Sequence, residues 1–320
     1  MKQHNSTPII SIVIPLFNKE REVQRAIQSV LNQSISDFEV IVVNDGSTDK
    51  GPEIVRDIND LRISVINQAN AGVSAARNTG IKEARADLIA FLDADDEWEP
   101  DFLETILGLE REFPDCSVFA TSYFLVNQDG VRRPAVIRGL PKDFQKGVLK
   151  DYFIIAAKSD PPLWTSATAV KKTAISSVGG FPVGIMSGED LLTWARLAVK
   201  YDIAYSVEPK AFFWKPLHLS DRPGRVPDEA DIVGKELKEL LTICKAENCE
   251  SLRDYIALWH KMRASIYLRL GKRLSALNEI KNAIYFSGLN LKLFMYSIGI
   301  FFPKKIIIDI MKFKSGKMVP

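Results

Sequence analysis

A mostly parallel, doubly wound α/β sheet followed by an α-helical appendage is the fold class that this 320-residue sequence predicts. Three observations carry it. Short apolar runs alternate with amphipathic segments through the first hundred residues, two acidic motifs stand directly after such runs, and after Pro227 the alternation gives way to helical periodicity alone.

The elements follow in order. Ser11-Ile12-Val13-Ile14-Pro15 is β-branched and nearly all apolar, as a strand covered on both faces must be, and the proline is expected to end it. From Glu20 to Leu31, Val23, Ile27, Val30 and Leu31 fall on one helical face. Phe38 to Val43 reads as a second strand running into Asp45-Gly46-Ser47, and Ile63 to Ile66 as a weaker third. Ala71 to Ala84 is a helix of small residues before the strand Leu88 to Leu92, which ends at Asp93-Ala94-Asp95-Asp96; the alternative to a ligand role for that loop is a solvated acidic turn leading into a helix N-terminus at Trp98-Glu99-Pro100. Ala167 to Val170 is a later strand, and Leu191 to Tyr201 a helix opened by Gly188-Glu189-Asp190. The domain boundary is placed at 225, giving a sheet domain over 1–225 and a helical region over 226–320. There, 229–247 and 252–270 are amphipathic, and 264–284 is loosely similar to one tetratricopeptide-type hairpin, which needs something to pack against.

Carboxylates at strand ends are costly unless they are paired or hold a cation. In open α/β sheets ligands collect beyond the carboxyl ends of the strands. The loops at Pro15 to Lys19, Asp45 to Asp49 and Asp93 to Glu97 are therefore expected to converge on one ligand. Asp93 and Asp95, at alternate positions leaving a strand, are expected on one side, with Asp96 free for another task.

These residues carry a resemblance. Ser11 to Asn18, Asn44-Asp45-Gly46-Ser47-Thr48-Asp49, Asn70 to Gly80 and Leu92 to Asp96 resemble, in order and separation, the successive signatures of family-2 glycosyltransferases, and Gly179-Gly180-Phe181 with Gly188-Glu189-Asp190 adds a fifth. The similarity covers roughly 8–225. It implies a GT-A fold, a nucleotide-sugar donor, Mg²⁺ or Mn²⁺, and inverting transfer to an acceptor hydroxyl. A hard cation suits this chemistry because it takes oxygens from carboxylates and phosphates together. The resemblance assigns Asp95 and Asp96 to metal and ribose, and Asp45 to a nucleobase edge, with a uracil and hence a UDP-sugar implied. Pro15, Phe17, Glu20 and Asp93 are expected to line the same nucleotide-sugar pocket, Phe17 having the alternative reading of a partly buried loop aromatic with no ligand contact.

Other candidates keep two readings. Arg77 either reaches the nucleotide or pairs with Asp93. The resemblance implies Asp190 as the general base, because the family pattern places it at the end of the short acidic pair, with Glu189 the fallback, although helix capping explains either carboxylate equally well. His218 completes the metal shell, contacts the diphosphate or is a solvated loop residue. Trp164 either stacks on an acceptor sugar or belongs to the core.

A net charge of +2 gives no sign of a nucleic-acid partner. The three cysteines have no metal-ligand spacing and are expected as free thiols in a reducing compartment. Ile9 to Phe17 is expected as a strand rather than a leader, which points to a cytoplasmic protein. Leu289 to Phe302 is apolar and followed by lysines, too broken for a span, and suits either a segment lying peripherally on the anionic inner face of a membrane, where a glycan or lipid-linked acceptor would be met, or a helix buried against its own protein. A nucleotidylyltransferase is disfavoured because the glycine-rich basic loop is missing after Ile14, and a non-catalytic nucleotide-sugar-binding scaffold because the acidic positions are kept.

Overall fold

The computed structural model describes residues 7–127, 129–215 and 226–302, and the chain divides into two compact units, 1–222 and 223–320. The first is built on a ten-stranded sheet.

Strand β1 (Ile10–Leu16) leads through α1 (Val23–Leu31) to β2 (Phe38–Asp45), then α2 (Gly51–Asp57), β3 (Ile63–Gln68), α3 (Val73–Glu83) and β4 (Leu88–Phe91). Next come β5 (Glu97–Trp98), α4 (Phe102–Glu112), β6 (Val118–Val126), β7 (Arg132–Pro134), β8 (Lys146–Val148) and α5 (Tyr152–Lys158). A 3₁₀ turn at Thr165–Ala167 precedes β9 (Thr168–Lys171), α6 (Lys172–Ser177), α7 (Glu189–Lys200) and β10 (Ile203–Trp214). The main order is β3-β2-β1-β4-β9-β6-β10-β5, with β9 antiparallel to both its neighbours and β5 antiparallel to β10.

Both faces of β1 are covered, which explains its unbroken apolar character. Ile10, Ile12, Ile14 and Leu16 pack with Val23 and Ile27 of α1 and Phe102 and Ile106 of α4. Val13 faces the other way, against α3 at Gly80, where an added Cβ would lie 2.3 Å from a Val13 methyl. Glycine there lets helix and sheet approach.

Three expectations are corrected. Pro15 does not end β1, which continues to Leu16; the ladder to β4 stops at Val13, so the missing N–H falls where β1 has lost that partner. Trp98 does not open a helix, because Glu97 and Trp98 pair with Phe212 and Ala211 at the sheet edge and the helix begins at Phe102. Two of the cysteines are not free: Cys244 and Cys249 form a disulfide, and Cys116 alone is a buried thiol, so the cysteine argument for a reducing compartment falls away.

The second unit contains α8 (Ile232–Leu240), α9 (Cys249–Leu270), α10 (Arg273–Ser287) and α11 (Leu291–Gly299). The helix expected over 229–247 is only nine residues long, capped by Asp231, which accepts from the Gly234 N–H. His260 and Arg263 of α9 bind the two oxygens of the Glu279 carboxylate on α10, at 2.6 and 2.7 Å, in an almost fully buried cluster. Leu293 of α11 is buried with Ala264, Ile280 and Ala283, which makes α11 part of this bundle. No helix of the described residues is long and apolar enough to cross a membrane.

Candidate active site

The site grows from the carboxyl ends of β1, β2 and β4. Loops there are laced together by side chains. Asn18, held at φ 51°, accepts from the Thr48 N–H at 2.8 Å, and its own N–H donates to Ser47 Oγ. Glu20 accepts from the Lys50 N–H, and Asp49 from the Glu20 N–H at 2.8 Å. Glu20 is thus a clamp between two loops. Phe17 beside it is exposed, and Pro15 is buried inside β1.

Asp45 is 3% exposed and accepts three hydrogen bonds, from Gln68 Nε2 and the Ala71 and Gly72 N–H groups at 2.7–2.9 Å. It ties the end of β2 to the start of α3. Gly46, at φ 74°, is required in this turn because a Cβ would meet the Asn70 N at 2.9 Å. Three of about four carboxylate lone-pair sites are filled, leaving one on Oδ2.

The acidic loop after β4 splits as its spacing suggests. Asp93 and Asp95 are partly exposed and each takes a cation: Arg77 Nη2 donates to Asp93 at 2.6 Å, and Lys19 Nζ to Asp95 at 2.6 Å. Burial works against the charge of Lys19, yet the adjacent Asp95 outweighs it and holds the ammonium above its ordinary pKa. Asp96 points inward and is 1% exposed. Its carboxylate accepts from Ser166 Oγ, from Trp164 Nε1 at 3.1 Å and from the Trp214 N–H at 3.3 Å. Burial, with Asp95 and Asp93 adding repulsion, pushes its pKa well above the ordinary carboxylate value despite those donors. A metal role does not fit Asp96, because its oxygens are enclosed by neutral donors. The residues that fit a hard cation are Asp95 and Asp93, acidic oxygens at the open end of a strand.

Trp164 gives its indole N–H to Asp96 and packs its ring against Tyr123 and Phe213 while staying partly exposed, so it braces the acidic loop from the site's edge.

Arg77 joins the site's two acidic groups. Its guanidinium is 3% exposed, lies 5.0 Å over the Phe181 ring, and keeps Nε and Nη1 without hydrogen-bond partners among the described residues. Although burial opposes its charge, Asp93, Glu189 and Asp190 outweigh the burial and raise its pKa. The pairing with Asp93 is present, and Glu189 and Asp190 at the start of α7 add to the negative charge felt by the same buried cation. Gly188 in the left-handed conformation turns the chain into α7, so Glu189 and Asp190 occupy its first turn.

Sequence reasoning passed over Lys19 and Asn78. Lys19 sits in a loop already picked out, and a cation there opposite an acidic loop is a readable signal. Asn78 follows Arg77, and its amide binds the Phe181 backbone reciprocally, donating to the carbonyl at 2.7 Å and accepting from the N–H at 2.8 Å. Gly180 is needed there, since a Cβ would lie 2.4 Å from Asn78 Oδ1. His218 lies outside the described residues.

Residues 11–169 match the sequence model of glycosyl transferase family 2. Through them the chain belongs to that family. The uncharacterized glycosyltransferase EpsJ of Bacillus subtilis (strain 168) is 50% identical over 91 residues, 28% of this chain and 26% of that protein. An uncharacterized glycosyltransferase of Rickettsia conorii (strain ATCC VR-613 / Malish 7), RC0461, is 34% identical over 196 residues, 61% and 31% of the two. The chain therefore spans about a quarter to a third of the curated relatives it matches. Among solved structures, residues 1–349 of S. aureus TarS in complex with UDP-GlcNAc align with TM-score 0.68 over 97% of this chain and 93% of that one, at 17% identity. The mannosyltransferase PcManGT from Pyrobaculum calidifontis, in complex with GDP-Man and Mn²⁺, aligns with TM-score 0.56 over 92% and 80%, at 18% identity. At such identities the likeness shows the fold, and this family-2 chain has a GT-A fold with added C-terminal helices.

Proposed function

We propose that the chain is an inverting glycosyltransferase that moves a sugar from a UDP-sugar to an acceptor hydroxyl in polysaccharide or lipid-linked glycan synthesis. The observation that carries the reading is Arg77: one buried guanidinium, with Nε and Nη1 unpartnered among the described residues, paired with Asp93 and within electrostatic reach of Glu189 and Asp190. Such a fork suits diphosphate oxygens. TarS, complexed with UDP-GlcNAc, supports a nucleotide-sugar donor, and the remaining acceptor site on Asp45 Oδ2 matches a uracil N3–H.

Mg²⁺ or Mn²⁺ would be held by Asp95 with Asp93, and, when bound, would neutralise charge on the departing diphosphate. Lys19 and Arg77 balance those two carboxylates and hold the loop in place. Asp96, fixed by Ser166 and Trp164, orients the loop from beneath. Asp190 takes the proton of the acceptor hydroxyl on the side opposite the leaving group, with Glu189 as the fallback. The acceptor is carried on the cytoplasmic leaflet, reached through the lysine-bearing tail.

The test is a panel of UDP-, GDP- and dTDP-sugars offered to the purified protein, with diphosphate release read out in Mg²⁺, in Mn²⁺ and in chelator. Release from a UDP-sugar alone, abolished by chelator, is the expected result. Full activity in chelator removes the cation, and a preference for GDP removes the uracil reading.

A further inference from the structure

An open groove of about 630 Å³ lies between the outer face of α1, the edge strand β5 and Phe212 of β10, and its lining includes none of Lys19, Asp45, Arg77, Asp93, Asp95 and Asp96. Its size is that of a small-molecule site. Arg21, Arg25 and Arg132 line it against two carboxylates, Glu97 and Glu99, which leaves an excess of positive charge. Glu97 is already answered, since its Oε2 accepts from Trp214 Nε1 at 3.3 Å and lies 3.6 Å from Arg25 Nε. Amides of Gln24, Gln28 and Asn32 form the α1 wall. Gln28 donates to Asn32 Oδ1 at 3.0 Å, which holds two of these amides in register.

Arg132 and Arg25 are preset. The first guanidinium lies 4.6 Å over the Phe212 ring and the second 4.2 Å over Trp214. Arg25 Nε is buried with no hydrogen-bond partner among the described residues, while Nη2 donates to the Asp95 carbonyl at 2.6 Å. Arg25, which lines the groove, thus holds the backbone of Asp95, whose carboxylate pairs with Lys19. Oriented guanidinium forks select oxyanions, and amides that both donate and accept suit sugar hydroxyls.

We propose that this groove is a second binding site, separate from the nucleotide, for a saccharide that carries oxyanions, whether carboxylates or phosphates. Its test is calorimetric titration of the full chain, without nucleotide, with tetragalacturonate, with a phosphorylated oligomannose and with neutral maltotetraose. At least one anionic oligomer should bind tenfold or more tighter than the neutral one, weaken as salt rises, and stay bound in excess UDP. The binder identifies which oxyanion is recognised. Arg21→Gln with Arg132→Gln should weaken it tenfold or more; both side chains are exposed, so folding is not at stake. Equal binding of charged and neutral oligomers, no binding at all, displacement by UDP, or full binding by the double variant each overturns the proposal. Because no donor is present, any of these leaves the transferase reading untouched.

Discussion

Each carboxylate of the site has a different environment, and the environment decides what it can do. Asp93 and Asp95 are partly exposed and paired with cations, Asp96 is enclosed and pushed toward its protonated form, and Asp190 stands at a helix start beyond Arg77. Separating the roles is a matter of kinetics. Asp190→Asn should leave donor affinity nearly unchanged and cut turnover about 10²- to 10⁴-fold, the usual loss when a general base is removed. Turnover within a few-fold of the parent, read by coupled diphosphate release, rejects Asp190; collapse in Glu189→Gln alone exchanges the two neighbours.

Helix positions are fixed by equally local features. Gly80→Ala in α3 places a methyl group on Val13 of β1, so it should destabilise the sheet unit by about 1–3 kcal/mol through overpacking. Val13→Ala should restore part of that loss, a coupling that thermal melts of the four variants measure. In the helical unit, Glu279 sits against His260 and Arg263, and although burial works against its charge, those partners hold its pKa below the ordinary 4.5. A lowered acid pKa contributes stability above 4.5 that is lost as pH falls through the lower folded value. Glu279→Gln should therefore cost about 3–5 kcal/mol near neutrality, as breaking a buried pair does, and the gap from the parent should close in acid. A difference that does not vary between pH 7 and pH 3 in denaturant titrations contradicts this account of the cluster.

For the molecule as a whole, α11 has two faces with different fates. Leu293 is buried in the bundle, whereas Leu291 is 77% exposed and Phe301, just past the helix, 83%. The α11 segment is therefore partly packed and partly exposed, and deleting everything after Ser287 would remove a core residue along with the surface. Leu291→Ser with Phe301→Ser is the cleaner test. The full chain should co-sediment with anionic vesicles more than with neutral ones, less so at high salt, and the double variant should lose much of that binding while melting like the parent. Indifference of the full chain to anionic vesicles at low salt refutes membrane docking. The lysines from Lys304 onward that enter this argument lie outside the described residues.

Period and composition were enough to identify the α/β alternation, the strands that lead into the Asp45 and Asp93 loops, and the helices of the second region, because side-chain spacing along one element is a local property. Motif order was enough for the family. What a carboxylate faces is not local. Spacing set Asp96 apart from Asp93 and Asp95, yet only packing turned it onto Ser166 and Trp164, some seventy residues away, and buried Arg77 against Asp93. The same holds for Pro15, tolerated inside a strand because a neighbouring strand ends early, and for Trp164, whose indole N–H found an internal acceptor. A sequence specifies which groups can ionise, donate or stack; the fold alone brings their partners within about 3 Å, where burial and hydrogen bonding decide which of them remain available to a substrate.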